Sequence, residues 1–536
     1  MKQRPPRPPG PPNGPRSVGL GALAAAAAHL LTRASGLIRD MVFVAFFGPS
    51  SGAAADAYFA AFRVPHLFRE LLAEGTLSNV FVPLFAETTE KESLANAWRL
   101  ANAMLGVLLL ALGAITLFIF VLADPLVFVV ASGFDEETHA LATTLTRLFS
   151  PFLVGISIAA LFSGMLNVRG KFFLPTLAPA FLNLFVIAGC LLGDTLESAT
   201  GWPAITAVAA AATLSGLFTA AVQYPELRRA GFRFRPTLKK HPGLTRVAKF
   251  VGAALVSVVV VQFNLLVETQ IASMLGDHGP ITWLMMSFRL VQLPMSVVAG
   301  SVAVAAMAKI AVEVAREDMG MAKQTLSRAI EMTNVLVLPS ALGLYLLAEP
   351  LIHLLFERGE FTPQDTLATA GVLRMYAVAV VGICMYRVLL PVFFALQDPY
   401  LPMKLSLGVM ALKLPVAWAL VYPMEMGVNG LPLSHAITVS LEVVAMIWVL
   451  SRRFGGLTPG LWSQHIRMVI SVGVMGIAVT WVQPVVQPLL GAAGVLLTCG
   501  VGGAIYGACA LVLGVDTARE VQAKIIGKLL RRGPRP

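Results

Sequence analysis

Long apolar stretches dominate this chain. Fourteen runs of roughly 20 apolar residues, the length a helix needs to cross the bilayer, begin near residues 17, 58, 101, 138, 172, 203, 250, 280, 330, 363, 401, 427, 467 and 488. Lipid gives the backbone no hydrogen-bond partners, so segments of this length cross as helices. Composition agrees: 57% of the 536 residues are hydrophobic and 13% charged, where a soluble domain has about a quarter charged. The sequence predicts an all-α polytopic membrane protein with 14 transmembrane helices.

Charge placement tests that count. Forty Lys and Arg against 29 Asp and Glu leave +11, an excess that belongs in cytosolic loops and not on a nucleic-acid surface. With both termini in the cytosol, 30 basic residues fall in cytosolic segments, nine inside spans and one, Arg358, outside. An odd number of spans would scramble this pattern. The alanine-rich run after residue 16 continues through Arg33 and Arg39 to about Gly48, so it reads as a first span and not as a cleaved leader. Cys190, Cys384, Cys499 and Cys509 lie far apart in apolar runs, and neither a metal-ligand set nor a common catalytic motif is present in the sequence. We therefore expect no metal, no cofactor and no enzymatic activity.

Two internal echoes point to duplication. "AAFRVPHL" around Arg63 resembles "MSFRLVQL" around Arg289 at an offset of 226, and Glu87 and Glu313 end the next apolar runs at the same offset. "VGI" at Val154 recurs at Val381, and Pro175 at Pro402, at 227. The expected organisation is a Pro-rich, disordered basic cytosolic tail (1–16), an N-lobe of six helices (17–227), and a basic cytosolic linker (228–249). A C-lobe of six helices (250–453), two further helices (454–513) and a basic amphipathic cytosolic tail (514–536) follow. Because each repeat holds an even number of helices, the two lobes share one orientation, as in parallel-repeat transporters with a central cavity.

Charges inside the membrane mark function, because each costs about 2.5 to 3.5 kcal/mol at mid-bilayer on insertion scales. The spans hold Arg33, Arg39, Arg63, Arg69, Arg147, Arg289, Arg374, Arg387 and Lys413 against Asp40, Glu70, Glu74, Glu268 and Glu442. This net cationic interior suits an anionic substrate, and the planar guanidinium fork suits phosphate. Arg147, Arg374 and Lys413 read as snorkelling or salt-bridged residues. Arg33, Arg39, Arg63, Arg69 and Arg289 read as ligands, since they cluster on spans one, two and eight; Arg387 fits either role. Seven-residue spacing predicts that Arg33 and Asp40 share a helix face and pair, and that Arg63 pairs with Glu70 or Glu74.

Other features read as structure. Gly503 and Gly507 form a GxxxG packing motif. Thr362, Pro363 and Asp365 form a helix N-cap. His29, His66 and His435 either make single interhelical hydrogen bonds or relay protons. The C-terminal stretch suits the anionic inner leaflet.

Longer motifs carry a resemblance. "TRASGLIRDMVFVAFFG" from Thr32, "DAYFAAFRVPHLFRELLAEGTLSNVFVPLFAE" from Asp56, "MLNVRGKFFLPTLAPAFLN", "SFRLVQLPMSVVAG", "LFERGEFTPQDT" and "VFFALQDPYLPMK" cover most of the chain in order. They closely resemble the MurJ (MviN) lipid II flippases of the multidrug/oligosaccharidyl-lipid/polysaccharide exporter superfamily. That resemblance implies two six-helix lobes, a cationic cavity for the diphosphate and sugar-peptide head, and a groove at the last two helices for the polyprenyl tail. It places the family's essential arginines at Arg33, Arg39, Arg69 and Arg289 and its outer acidic residue at Asp56, with Arg387 replacing a lysine. Glu70, Phe288 and Gln292 depart from the family pattern, and Glu268 is the candidate that takes over gating ion pairs.

The resulting expectation is a flippase carrying lipid II to the outer leaflet of the inner membrane by alternating access. Anionic membrane lipids are its surroundings, the cell-wall synthesis machinery is a candidate partner, and the protein is a monomer that binds no nucleic acid. Rival readings are an exporter of another lipid-linked oligosaccharide or of a drug, and a membrane enzyme using the same lipid. A cationic-drug exporter calls for net acidic spans. The enzyme calls for acidic, metal-binding clusters at a membrane-loop junction.

Overall fold

The computed structural model describes residues 15–70, 81–239, 241–276, 278–296, 300–398 and 400–530. Among these the secondary structure is helical, without strands. In the first half the helices are α1 (Pro15–Phe46), α2 (Ala54–Arg69), α3 (Val82–Lys91), α4 (Leu94–Val121) and α5 (Ala123–Val130). Then come α6 (Glu136–Phe149), α7 (Phe152–Val168), α8 (Phe173–Thr200) and α9 (Ala204–Arg229). The second half holds α10 (Pro242–Ser273), α11 (Pro280–Pro294), α12 (Gly300–Ala315), α13 (Met319–Leu346) and α14 (Ala348–Phe356). It continues with α15 (Pro363–Ala395), α16 (Tyr400–Val421) and α17 (Gly430–Arg453). The last three are α18 (Leu461–Leu490), α19 (Ala492–Val512) and α20 (Asp516–Leu530).

Ten helices among the described residues are long and apolar enough to cross a membrane, with α6 and α7 counting as one. The other expected spans begin on α1, α2, α10 and α11. Two of these, α2 and α11, have 16 and 15 residues, and residues 71–80 and 297–299 beyond them lie outside the described set.

The offset between the two short echoes recurs in the helix boundaries. The starts of α2 and α11 (54 and 280) and of α9 and α17 (204 and 430) are each 226 residues apart; those of α1 and α10 (15 and 242) differ by 227, and those of α4 and α13 (94 and 319) by 225. Even the caps recur. Ser93 accepts from the Asn96 backbone N–H to start α4, and Asp318 accepts from that of Met321 to start α13. One difference is a proline: Pro151 separates α6 from α7, whereas α15 runs unbroken through the corresponding stretch.

The chain forms two compact units, one comprising the residues up to Phe47 with Ala53–Gln262, the other Gly48–Gly52 with Phe263–Pro536. The division falls within α10. In the first unit, close approach through small residues packs the helices. A Cβ on Gly155 of α7 would stand 2.5 Å from the carbonyl carbon of Gly216 on α9, and one on Gly189 of α8 would meet the Val208 Cα at 2.7 Å. In the second unit, α18 and α19 pack on α13 around Val335, Met468, Met475, Val479, Tyr506 and Ala510. The Tyr506 hydroxyl donates to the Val335 carbonyl at 2.7 Å.

The glycine reading of the last span is corrected here. Side chains added at Gly503 and Gly507 would meet open space, while Gly502 faces Val479 Cγ2 at 2.9 Å. The packed face of α19 carries Val495, Thr498, Gly502, Tyr506 and Ala510, at three- and four-residue spacing, and the GxxxG pair lies off it. The Thr362 cap holds: Thr362 and Asp365 form a reciprocal capping box with Pro363 in the first turn. Part of the C-terminal tail, α20, is tied to other helices by Arg328–Glu520 at 2.8 Å and by Gln464 donating to Asp516 at 2.9 Å.

Candidate polar sites within the apolar helices

Arg39 of the first unit is anchored on its own helix and on a neighbouring one. Its Nε and Nη2 donate to Asp40 Oδ1 at 2.9 and 2.5 Å, and Nη1 crosses to Asn183 Oδ1 on α8 at 3.1 Å. Asn183 in turn donates to Ser35 Oγ at 2.9 Å and to the Thr32 carbonyl at 3.3 Å. Thr32 Oγ1 donates to the Thr176 carbonyl at 3.1 Å, which extends the seam along α1 and α8. The Arg39 side chain keeps 15% exposure and that of Asp40 4%.

This pairing replaces the expected one. Asp40 takes Arg39, while Arg33 Nε donates to His29 Nε2 at 3.1 Å on its own helix. Seven residues share a face but rise about 10.5 Å, two turns, whereas four rise about 6 Å. Arg33 therefore meets His29 more easily than Asp40.

On α2, Arg63 is half-buried on a helix whose aromatic residues interlock: Tyr58 with Phe43 at 4.7 Å between ring centroids, and Phe62 with Phe149 at 5.1 Å. Asp56 is buried in the first turn. At the other end Arg69 Nη2 donates to His66 Nε2 at 2.9 Å, and Glu70 Oε2 accepts from Gln262 Nε2 at 2.9 Å. Glu74 lies outside the described residues, and so does any pairing it makes.

The second unit holds Arg289 half-buried on α11, its Nη1 3.5 Å from Gln292 Oε1. Arg387 on α15 is exposed. Glu268 on α10 meets Lys413 Nζ of α16 at 2.6 Å, with side-chain exposures of 9% and 2%. Lys413 also contacts His435 Nδ1 on α17 at 3.2 Å, and the Tyr376 hydroxyl of α15 donates to Glu268 Oε2 at 3.3 Å. Phe288, one of the departures from the family pattern, packs against Tyr376 with ring centroids 5.5 Å apart and planes tilted by 56°. The salt-bridged reading of Lys413 holds, as does that of Arg374, which reaches Glu349 at 3.4 Å.

Sequence reasoning missed Asn183 and Gln262 as partners of charged groups, and it did not join Glu268 to Lys413. The available signal was a polar residue inside an apolar run. Among the described residues no cluster of His, Cys, Asp and Glu could hold a metal ion.

A helical polytopic membrane protein with partly buried guanidinium groups on its apolar helices has the outline of a transporter, and likeness to solved structures places the fold. The structure titled "Lipid II flippase MurJ, inward closed conformation" aligns with a TM-score of 0.74 at 22% identity, covering 94% of this chain and 99% of that one. An inward-facing multidrug resistance MATE family transporter of the MOP superfamily aligns with 0.67 at 17% identity, covering 81% and 98%. The chain belongs to the lipid II flippase MurJ family, whose sequence pattern matches residues 43–499. A curated relative, the "Probable lipid II flippase MurJ" of Rhizobium tropici, is 32% identical over 492 residues, 88% of each chain.

Proposed function

We propose that this protein moves lipid II, the polyprenyl-diphosphate-linked peptidoglycan precursor, from the cytosolic to the outer leaflet of the inner membrane. In this reading fourteen spans are arranged as six, six and two, both termini are cytosolic, and transport proceeds without enzymatic turnover of the lipid. The observation that carries the reading is Arg39: a guanidinium inside an apolar helix, oriented by Asp40 and Asn183 yet still accessible, in a chain of this family. A diphosphate carries charge and pairs of acceptor oxygens that can take two parallel hydrogen bonds from the guanidinium fork, and a lysine point charge does not reproduce that match. Arg33, Arg63, Arg69, Arg289 and Arg387 supply further cationic donors along the route. Asp40, Asp56, Glu70, Glu74 and Glu268 hold cations in place between substrates. Alternating access then turns the substrate-holding cations from one leaflet toward the other.

Expression in a bacterium whose own lipid II flippase can be shut off tests this. Growth through shut-off is the expected result. Lysis despite normal amounts of the protein in the membrane contradicts the proposal.

A further inference from the structure

One face near the start of α13 gathers three other segments of the second unit. Lys323 Nζ donates to the Gly455 carbonyl and the Thr458 N–H donates to Ser327 Oγ, both at 3.2 Å, which seats the segment leaving α17. Arg328 meets Glu520 of α20 at 2.8 Å and Glu331 of its own helix at 3.0 Å. His465 Nδ1 of α18 donates to the Leu461 carbonyl at 2.8 Å, so its Nε2 accepts from Asn334 Nδ2 at 2.9 Å. Residues 323, 327, 331 and 334 follow at four- and three-residue spacing, the spacing of one helix face.

The helix α20 is tied to α18 as well. Gln464 and Asp516 exchange two hydrogen bonds, the amide donating to the carboxylate at 2.9 Å and the Asp516 N–H to the amide oxygen at 3.2 Å. Arg467 Nη1 donates to the Gly514 carbonyl at 3.0 Å. Gly514 stands at φ +73°, a left-handed value that lets the chain turn from α19 into α20. Val515 and Thr517 just after it are fully buried. The helix thus bridges α13 and α18 at the end where both begin.

A similar crossing in the first unit shows what α20 adds. Trp98 and Asn102 of α4 precede Lys323 and Ser327 by 225 positions, and they seat the segment leaving α9. Trp98 packs on Phe232 with ring centroids 5.3 Å apart, and Asn102 accepts from the N–H groups of Arg235 and Thr237 at 2.7 and 3.1 Å. A Cβ on Gly106 would stand 2.2 Å from the Thr237 carbonyl oxygen, so that segment lies directly on α4. The segment after α17, "FGGLTPG", meets α13 through the two 3.2 Å hydrogen bonds, and α20 supplies the ion pair. Apolar packing alone does not fix α18 and α19 on α13, because acyl chains offer equally apolar surroundings. Directional polar contacts at the helix ends decide where they sit.

We propose that α20 is a releasable clasp that holds the start of the α18–α19 hairpin on α13. Docked, it joins α13 through Glu520 and α18 through Asp516. Release breaks these contacts but leaves Arg328 balanced by Glu331, so no cation is stranded without a carboxylate. The side chains of Arg328 and Glu520 keep 36% and 48% exposure, so water and salt reach the pair. The clasp itself does not depend on the substrate. Its bearing on transport rests on the function proposed above: a freed hairpin no longer completes the α13 side of the second unit, and transfer slows.

The test is amide hydrogen exchange of the full-length chain in nanodiscs, compared with a chain ending at Val515. Loss of α20 should speed exchange at residues 461–471 about fivefold while α4 and α9 keep their wild-type rates. Arg328→Glu should act in the same way, because it sets a third carboxylate against Glu331 and Glu520, and adding Glu520→Arg should restore the wild-type rates. This pair keeps the test open where the shortened chain fails to fold. Raising salt from about 0.05 to about 1 M should speed exchange at 461–471 in wild type and not in the shortened chain. Unchanged exchange at 461–471 without α20, failure of the double change to restore it, or an equal salt response in both chains overturns the proposal. A second arm measures lipid II transfer in proteoliposomes, which should fall about fivefold in Arg328→Glu and recover in the double change, in step with the exchange rates. Undiminished transfer by Arg328→Glu overturns the coupling. Absence of any transfer by wild type counts against the proposed function and leaves the exchange rates as the test of the clasp.

Discussion

In the first half of the chain Arg39 on α1 reaches Asn183 on α8; in the second half the helices at the equivalent repeat positions, α10 and α16, are tied by Glu268 and Lys413. The helix pair is the same and the polarity is reversed: the cation sits on the first helix in one unit and on the later helix in the other. A second joint repeats the inversion. Lys171, just before α8, meets Glu226 near the end of α9 at 3.2 Å, whereas Asp398, just before α16, meets Arg453 at the end of α17. The two halves pin their helices at similar offsets, while the charges that pin them differ. The consequence is functional asymmetry. At this joint the first unit holds Arg39, whose guanidinium keeps spare donors, and the second closes Lys413 on the carboxylate of Glu268.

The largest expected effect comes from opening the closed pair. Lys413→Met removes the ammonium that balances a buried carboxylate, and breaking such a pair costs about 3 to 5 kcal/mol. The double change Lys413→Met with Glu268→Leu should recover most of that loss. Thermal unfolding in detergent measures both, and additive losses in the double variant would break the comparison at its strongest point.

Arg39→Ala tests the other side. From sequence alone this change is expected to spare stability, since it removes a substrate ligand. The geometry revises that expectation, because Asp40 loses its guanidinium; we expect a loss near the lower end of the same range, about 3 kcal/mol, together with loss of transport. Asn183→Ala leaves the Arg39–Asp40 pair intact and deletes one hydrogen bond to a charged group, about 1.5 to 3 kcal/mol. Stability equal to wild type in Asn183→Ala would show that the α1–α8 joint does not hold Arg39.

The smallest effect is the surface joint. The hydrogen bond from Arg453 holds the Asp398 carboxyl below its ordinary range. A carboxylate held low contributes stability above its unfolded-state value and loses it as pH falls through the folded one. The difference in unfolding temperature between wild type and Asp398→Asn should therefore shrink on acidification and with added salt. A difference that persists under both would assign Asp398 a packing role.

Periodicity and long motifs carried the helical membrane fold and the family from sequence. Partner identity was harder to read. Helical spacing shows which residues share a face but not the two-turn rise that separates Arg33 from Asp40. Lys413 and Glu268, 145 positions apart, are adjacent only once α10 and α16 pack, and Asn183 is one polar residue in an apolar helix with nothing in its spacing to name Arg39. Gly503 and Gly507 matched a packing motif, yet the face of α19 that packs is set by its partner helix α18.

The central claim is that guanidinium groups inside the apolar helices carry the diphosphate of lipid II across the membrane. The most direct measurement is transfer of labelled lipid II between leaflets of proteoliposomes holding the purified full-length chain, compared with Arg289→Ala and Arg289→Lys at equal folded protein. The account predicts transfer by wild type, none by Arg289→Ala and partial transfer by Arg289→Lys. Undiminished transfer by Arg289→Ala, or equal transfer of a lipid lacking the diphosphate, would contradict it.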